Sequence, residues 1–274
     1  MINTSSKYSV KKGLRLTKAS IFLWLNYPDG ASFKPEYIDN IISAKNHVPD
    51  HFNICLYCNH DEFLTTKMKV DLIKHNITIK ILKSSSEKHQ NQDQTSKRLK
   101  LDNSITRLEF MDFDTVKTAL IKLKKEGSLI EDITALAYEE EDEVTASILQ
   151  DELTEMSFDT MFHRYFDTKN IGLDVDMMRL LIMLTEAPPT IYMDLDIKVQ
   201  HEDFFKPILK SQTVAAFISN ADNQPLLNND YMKLSPEILR AYIVRILKNF
   251  CIDTAGECEW ENDVPKTSGP YVFM

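Results

Sequence analysis

Hydrophobic positions in the first third of the chain recur with two periods, which predict strands and helices in alternation. The continuous apolar run 21–25 ends at the turn-forming segment 26–30 and predicts a buried strand. Pro35 precedes apolar residues at three- and four-residue spacing, and Pro49 follows them, so a helix is predicted between the two prolines. The same reasoning predicts a strand over 53–58, a helix over 62–75 and a strand over 77–82. This βαβαβ order is typical of a parallel sheet covered by helices.

The middle of the chain has a different pattern. The polar segment 84–103 has no hydrophobic period and predicts an exposed, mobile connection. Apolar residues then recur at helical spacing from 111 to about 166, which predicts a helical insertion. The acidic run 139–143 is typical of a helix start, where negative charge is favoured, and a cation site is the alternative.

The α/β alternation returns after residue 170. The predicted elements are a helix over 173–186, a turn at Pro188–Pro189, a strand over 190–193, a strand over 213–219, a helix over 236–250 and a short strand over 271–273. Together with the first third, they predict an α/β fold around a mainly parallel central sheet.

Composition narrows the classes of protein to consider. The chain has 274 residues, 43% of them hydrophobic, which is enough for one large core. Its net charge of -9 argues against broad binding to a phosphate backbone. No apolar run approaches the roughly 18 to 20 residues of a membrane span, and the first ten residues lack the apolar core of a secretory signal. We therefore expect a soluble protein of the cytosolic type that binds no nucleic acid.

Two further sequence motifs bear on function, a glycine-rich dinucleotide-binding motif and a set of four cysteines. There is no Gly-x-Gly-x-x-Gly motif, so the sequence gives a dinucleotide-dependent dehydrogenase no support. Cys55, Cys58, Cys251 and Cys258 could form a four-thiolate zinc site. However, Cys55 and Cys58 lie three apart in a predicted strand and would point to opposite faces, which favours buried free thiols.

Asp-x-Asp triplets are the strongest candidates for chemistry, and the chain has three, at 112–114, 174–176 and 194–196. The first is expected to open a helix, where capping explains it. The carboxylates of the second face different directions on a helix. Asp194 and Asp196 instead follow a strand at its carboxyl end, where open α/β sheets bind ligands, and two hard oxygen donors there suit Mg²⁺ or Mn²⁺. Two solvated acids at a strand end are the alternative.

The segment 166–179, with Asp176 and Arg179, is followed by Ile191–Asp196, and the two together resemble the sugar-binding region of DXD glycosyltransferases. The resemblance is greatest to the large clostridial glucosylating toxins and related bacterial effector glycosyltransferases. In that family a helix with Asp-x-x-Arg precedes a strand that ends in Tyr-x-Asp-x-Asp. The strand 21–25 is similar to the family's first strand, and 52–64 to its second strand and the helix start after it.

The resemblance implies a GT-A-like nucleotide-sugar-binding fold with a mixed, mainly parallel sheet, a UDP-sugar donor and Mn²⁺ or Mg²⁺. Asp176 and Arg179, one helical turn apart, would contact the sugar and the diphosphate. Asp194 would contact the ribose and, through water, the cation, and Asp196 would bind the cation directly. Tyr192 would touch the donor or only pack in the core.

The resemblance also assigns a role to Trp24, which would stack on the uracil; without it, a core residue is an equally good reading. Asn228–Asn229 resembles the family's Asn-rich turn, and 267–270 a late Thr-Thr-Gly-Pro-like element. The family closes its site with a loop that carries a metal ligand and a Trp, for which 258–263 is the available substitute.

We divide the chain accordingly into a polar lead (1–20), a nucleotide-binding half (21–83), a connection with the helical insertion (84–160) and a donor- and metal-binding half (161–274). The expected function is transfer of a hexose or N-acetylhexosamine to an acceptor, with a protein as one possible acceptor. The family resemblance extends this to a secreted effector that acts in a host cytosol. The alternative is a catalytically degenerate transferase fold that acts as an interaction module.

Overall fold

A computed structural model gives the structure of the chain. It describes residues 18–25, 32–50, 52–83, 100–101, 104–105, 108–112, 129–154, 156, 160–161, 164–165, 170–186, 190–210, 215–221 and 224–255.

Seven strands of the described residues form one mixed sheet. They are β1 (Lys18–Trp24), β2 (Phe52–Cys58), β3 (Ile77–Lys83), β6 (Leu108–Asp112), β7 (Thr190–Met193), β8 (Ala215–Ala221) and β9 (Gln224–Lys233), while β4 (Lys100–Leu101) and β5 (Ser104–Ile105) form a separate antiparallel pair. The order across the sheet is β6-β3-β2-β1-β7-β9-β8. The first five strands in this order are parallel, and β9 is antiparallel to both β7 and β8. The predicted mixed, mainly parallel α/β sheet is therefore confirmed.

Helices lie between the strands. They are α1 (Pro35–His47), α2 (Thr66–Lys74), α3 (Leu129–Glu140), α4 (Glu143–Thr154), α5 (Ile171–Thr185), a 3₁₀ helix (Glu202–Phe205), α6 (Lys206–Lys210) and α7 (Pro236–Ala255). Pro35 is the first residue of α1, where its missing N–H costs nothing. The N-terminus of α2 is capped by the Thr65 side chain, which accepts a hydrogen bond from the N–H of Met68. None of the helices in the described ranges combines the length and apolar character needed to cross a bilayer.

The two faces of the sheet are buried against different helices. Ile21 and Leu23 of β1 belong to one core, which also contains residues of α3, α4, α5 and α7. Phe22 belongs to the other core, which contains residues of α1, α2 and the 3₁₀ helix. Both faces are buried, so the central strand is a continuous apolar run rather than an alternating one.

The strand order reverses at β1. From β1 the chain adds β2 and then β3 on one side, and β7 later pairs with the other side of β1. Open α/β sheets bind their ligands in the crevice outside the carboxyl ends of the strands at such a reversal. Trp24 is the last residue of β1, and Asp194 directly follows β7, so both lie at this place. The carboxyl ends of β1 and β7 are therefore the expected place for a bound ligand.

Two predicted elements are wrong. Helical structure was expected from residue 111, but Met111 and Asp112 end β6, which pairs with β3 and extends the sheet. Asp112 therefore does not open a helix. Asn228 and Asn229 were expected in a turn, but they lie inside β9, where Asn228 pairs with Phe217. The apolar positions 116–123 and the segments 258–263, 267–270 and 271–273 lie outside the described residues.

The acidic run 139–143 was expected to start a helix, and the structure corrects this in part. Its first two residues end α3, while Asp142 caps α4 by accepting hydrogen bonds from the N–H groups of Val144 and Thr145, both at 3.0 Å. Lys248 of α7 donates to Glu140 at 2.8 Å and to Glu141 at 2.6 Å. Two of the five acidic side chains in the run are therefore paired with a cation from another helix.

The cysteine prediction is confirmed for the described residues. Cys55, Cys58 and Cys251 are buried and belong to no disulfide. Cys55 belongs to one core and Cys58 to the other, as their three-residue spacing in a strand predicts. Burial raises the pKa of the Cys58 thiol to about 12, so this thiol stays protonated near neutral pH and is a poor nucleophile. Cys258 lies outside the described residues.

Candidate functional site

Helix α5 places a buried ion pair beside the sheet. Asn170 caps its N-terminus by accepting hydrogen bonds from the N–H groups of Gly172 and Leu173. Two turns further on, Nη2 of Arg179 donates to Oδ1 of Asp176. Arg179 is 2% exposed and Asp176 8% exposed, so water screens this pair very little. The predicted Asp-x-x-Arg pair is thus joined on one face of α5.

The C-terminal end of α5 is fixed to the sheet by a second polar contact. Glu186, the residue after the helix, accepts a hydrogen bond from the Tyr57 hydroxyl of β2. Lys80 of β3 lies 2.6 Å from the same carboxylate oxygen. Contacts to two strands restrict rotation and sliding of α5, so they also fix where Asp176 and Arg179 lie.

Tyr192 joins α5 to β7. The guanidinium carbon of Arg179 lies 5.4 Å from the centroid of the Tyr192 ring, within the range of a cation–π interaction. The Tyr192 hydroxyl donates to Oδ1 of Asp194 at 2.5 Å, because residues two apart in a strand share a face. Asp176, Arg179, Tyr192 and Asp194 therefore form one continuous chain of contacts.

The carboxyl group of Asp194 is unusual for an aspartate. Burial raises its pKa to about 7, the nearby Asp230 carboxyl acts in the same direction, and the positive charge of Arg179 opposes both. Burial therefore favours the protonated form of Asp194 more strongly than in a typical aspartate. Burial also raises the pKa of Tyr192 well above its usual value, so the phenol stays a hydrogen-bond donor.

Asp230 belongs to the site, although the sequence reasoning missed it. The Asp194 N–H donates to the Asp230 carbonyl oxygen at 2.7 Å, which sets the two residues opposite each other in the antiparallel pair β7–β9. The register between β8 and β9 also shifts here: Ala216 pairs with Met232, whereas Phe217 pairs with Asn228. Such irregularities re-aim side chains near sites. The run Asn228–Asp230 was the available signal, but its strand was not predicted.

Asp196 lies in the turn after β7, and α1 holds this segment. Nδ2 of Asn40, a buried side chain, donates to the carbonyl oxygen of Leu195 at 2.8 Å. Ser43 donates to the carbonyl oxygen of Val199 in the same segment. Asp196 itself is exposed. Its backbone is therefore anchored on both sides, while its carboxylate stays open to solvent and to a ligand.

Trp24 lies in an aromatic cluster at the end of β1. Its ring centroid is 5.2 Å from that of Phe33, 5.8 Å from that of Tyr37 and 6.2 Å from that of Phe63. All four rings are partly buried. The Trp24 indole Nε1 is buried and has no hydrogen-bond partner among the described residues. A buried indole N–H usually has a partner, so this donor is available to a ligand. Of the cluster, only Trp24 had been predicted.

Asp194 and Asp196 place two carboxylate side chains at the carboxyl end of β7. No group of three or more His, Cys, Asp or Glu side chains that could hold a metal occurs in the described part of the chain. Magnesium is commonly held by one or two carboxylates together with substrate phosphate oxygens and water. Two carboxylates at the end of β7 fit this kind of site, in which the substrate supplies the remaining ligands.

Comparisons with known proteins show a distant likeness to solved structures and no match to a protein family. No protein-family profile matches the chain, and no curated protein sequence matches it. Among solved structures, the chain is similar to a "PaToxG Glycosyltransferase" with 15% sequence identity and a TM-score of 0.42. The match covers 94% of this chain and 67% of that chain. A likeness of this degree establishes neither a shared activity nor a shared site.

Proposed function

We propose that this chain is a glycosyltransferase that uses a divalent cation, Mn²⁺ or Mg²⁺. It transfers a sugar from a UDP-sugar to an acceptor, and a hydroxyl group of a protein is the proposed acceptor. The observation that carries the proposal is the contact between two motifs that are separate in the sequence. Asp176 and Arg179 come from α5, Tyr192 and Asp194 from β7, and Arg179 lies over the ring of Tyr192. Both motifs meet at the reversal of strand order, where such sheets bind nucleotides.

Asp194 and Asp196 would hold the cation. A cation bound there neutralises the charge of a nucleoside diphosphate as it leaves the sugar. The pKa of Asp194, raised to about 7, supports this role, because a bound cation would favour the ionised carboxylate that burial disfavours. The neighbouring carboxyl of Asp230 adds negative charge to the same place.

Arg179 and Asp176 would act on the donor from the other side. A guanidinium in a buried setting stabilises the charge that develops on a departing diphosphate more strongly than it would in water. Asp176 holds Arg179 in place and, as an acceptor, suits a sugar hydroxyl. Tyr192 fixes the orientation of Asp194 through its hydroxyl.

The uracil would bind at the end of β1. Trp24 presents an aromatic surface there, supported by Phe33, Tyr37 and Phe63, and its free indole N–H suits a carbonyl oxygen of a base. Stacking of a base on an aromatic ring contributes about 1 to 3 kcal/mol.

A panel of UDP- and GDP-sugars tests the proposal. Each donor is incubated with the chain and Mn²⁺, and the released nucleoside diphosphate is measured by mass spectrometry. We expect release of UDP from at least one UDP-sugar, even without an acceptor, because water can replace the acceptor slowly. The matched control is Asp196→Asn, which should abolish release. If the wild-type chain and this variant release equal amounts, the proposal is wrong.

The burial of Arg179 favours a second candidate, an interaction module without turnover. A guanidinium that is 2% exposed and paired with Asp176 can also be explained as a structural ion pair. Binding of UDP without donor breakdown for any sugar, with any acceptor tested, would identify this second function.

A further inference from the structure

The helical hairpin of α3 and α4 carries the most exposed large apolar side chains in the part of the chain that the structure describes. They are Val144, 69% exposed, Ile148, 55% exposed, and Tyr138, 47% exposed. The other two exposed ones, Ile171 and Val70, are 38% and 37% exposed and lie singly on other helices. Apolar exposure is therefore concentrated on one hairpin, which is a pattern typical of an interaction surface.

The geometry of α4 explains this exposure. Ala146, Leu149 and Leu153 are buried in the core. Val144 and Ile148 are four residues apart and lie on the opposite side of the helix from that buried face. Among the described residues, nothing covers this second apolar stripe of α4, and both of its side chains are exposed. Tyr138 of α3 is held at the same hairpin, because its hydroxyl donates to Oε1 of Gln150 at 2.7 Å.

The charged residues of α3, α4 and the turn between them are all acidic. Residues 129–154 contain nine Asp and Glu residues and no Lys, Arg or His. Four of the nine form ion pairs with α7 or with residue 164: Asp132 with Arg240, Glu140 with Arg245 and Lys248, Glu141 with Lys248, and Glu152 with Arg164. Glu139, Glu143 and Asp151 are exposed and form no ion pair within the described residues.

We infer that the outer face of α4, formed by Val144 and Ile148 with the exposed acidic side chains near them, binds a basic amphipathic helix of a partner protein. Apolar residues at i and i+4 provide one side of a helix-against-helix contact. The exposed carboxylates match Lys and Arg residues that flank the apolar stripe of the partner. A second copy of this chain fits poorly, because it would bring two acidic faces together. The inference does not depend on the donor site.

A labelled synthetic helix tests the inference by fluorescence anisotropy. The probe has leucines at positions i, i+3, i+4 and i+7 and lysines elsewhere, and a second probe has glutamate in place of lysine. We expect the wild-type chain to bind the lysine probe and not the glutamate probe. The double variant Val144→Gln/Ile148→Gln should weaken binding by about tenfold or more, because it removes apolar surface that the probe covers. Glutamine is a good helix former, so α4 should persist.

The matched control is Val70→Gln, which changes an exposed valine of α2 and should leave binding unchanged. A second double variant, Glu139→Lys/Asp151→Lys, should weaken binding by a similar factor, and the loss should shrink at high salt. Equal binding by the wild-type chain and Val144→Gln/Ile148→Gln would overturn the inference, since attraction to the acidic net charge would then suffice. Sedimentation that shows a dimer lost in the same variant would also overturn it, because the occupant would then be a second copy.

Discussion

Replacing Arg179 with methionine separates the stability of the fold from the function of the site. Arg179 and Asp176 are both more than nine-tenths buried, and their side chains are paired. Arg179→Met leaves the Asp176 carboxylate buried without its cation. Breaking a buried pair in this way costs about 3 to 5 kcal/mol. A typical domain has only about 5 to 15 kcal/mol of stability, so the variant should be close to unfolding.

The double variant Asp176→Leu/Arg179→Met should behave differently. It replaces both charged groups with apolar side chains of similar size, which is often neutral for stability. We therefore expect it to recover most of the loss and to lie within about 1 to 2 kcal/mol of the wild type. The remaining loss reflects the contact between the guanidinium and the Tyr192 ring.

Urea unfolding of the wild type, both single variants and the double variant measures this coupling. We expect a coupling energy of at least about 2 kcal/mol, because each single variant leaves one buried charge without its partner and the double variant does not. The matched control is Asp203 and Lys206, which have the same three-residue spacing but are largely exposed and should show no measurable coupling. Donor binding should be lost in the refolded double variant as well. If the losses in the free energy of unfolding of the two single variants add up to that of the double variant, the buried pair is not coupled and this prediction is wrong.

Three further predictions follow from particular contacts. Trp24→Ala should weaken binding of UDP with Mn²⁺ by about 1 to 3 kcal/mol. In Trp260→Phe, where Trp24 is the remaining indole, UDP should quench the fluorescence. If UDP leaves the Trp24 emission unchanged, Trp24 is not part of the site. Burial raises the pKa of Asp194 to about 7, so its contribution to the free energy of unfolding is complete below about pH 4 and is lost as the pH rises through 7. Mn²⁺ should reverse that loss, and the affinity for Mn²⁺ with UDP should fall as the pH drops below 7. Asp194→Asn should remove both effects, which pH-dependent unfolding and calorimetry measure. Lys248→Met should cost about 1 to 3 kcal/mol in urea unfolding, because it leaves Glu140 with less positive charge, and an unchanged midpoint would contradict this.

Sequence patterns predicted the strands that are continuous apolar runs and the helices that have a regular apolar face. The strand 190–193 has the predicted bounds, and α1 begins at Pro35 as expected. These elements have strong periodic or continuous apolar signals with clear boundaries. β6 was missed because its five residues join a helical-looking apolar pattern. β9 was missed because Asn228–Asp230 is polar and reads as a turn, although pairing with β7 and β8 satisfies its backbone.

The candidate site was only partly visible in the sequence. Asp176, Arg179, Tyr192 and Asp194 were identified from their motifs, and the structure brings them into contact. Asp230 could not be found, because its approach to Asp194 depends on an antiparallel pairing that local patterns do not encode. The partners of Trp24 were missed for a similar reason: Phe33, Tyr37 and Phe63 come from different elements, and only packing brings them together.

Calorimetric titration of UDP is the most direct test of the proposed cation-dependent donor site. The titration is run with Mn²⁺ and with EDTA, for the wild type and for Asp196→Asn. Asp196 is exposed, so its replacement should leave the free energy of unfolding unchanged and affect the site alone. We expect UDP binding by the wild type with Mn²⁺, none with EDTA, and at least about tenfold weaker binding by the variant. Equal UDP affinity with Mn²⁺ and with EDTA would contradict it.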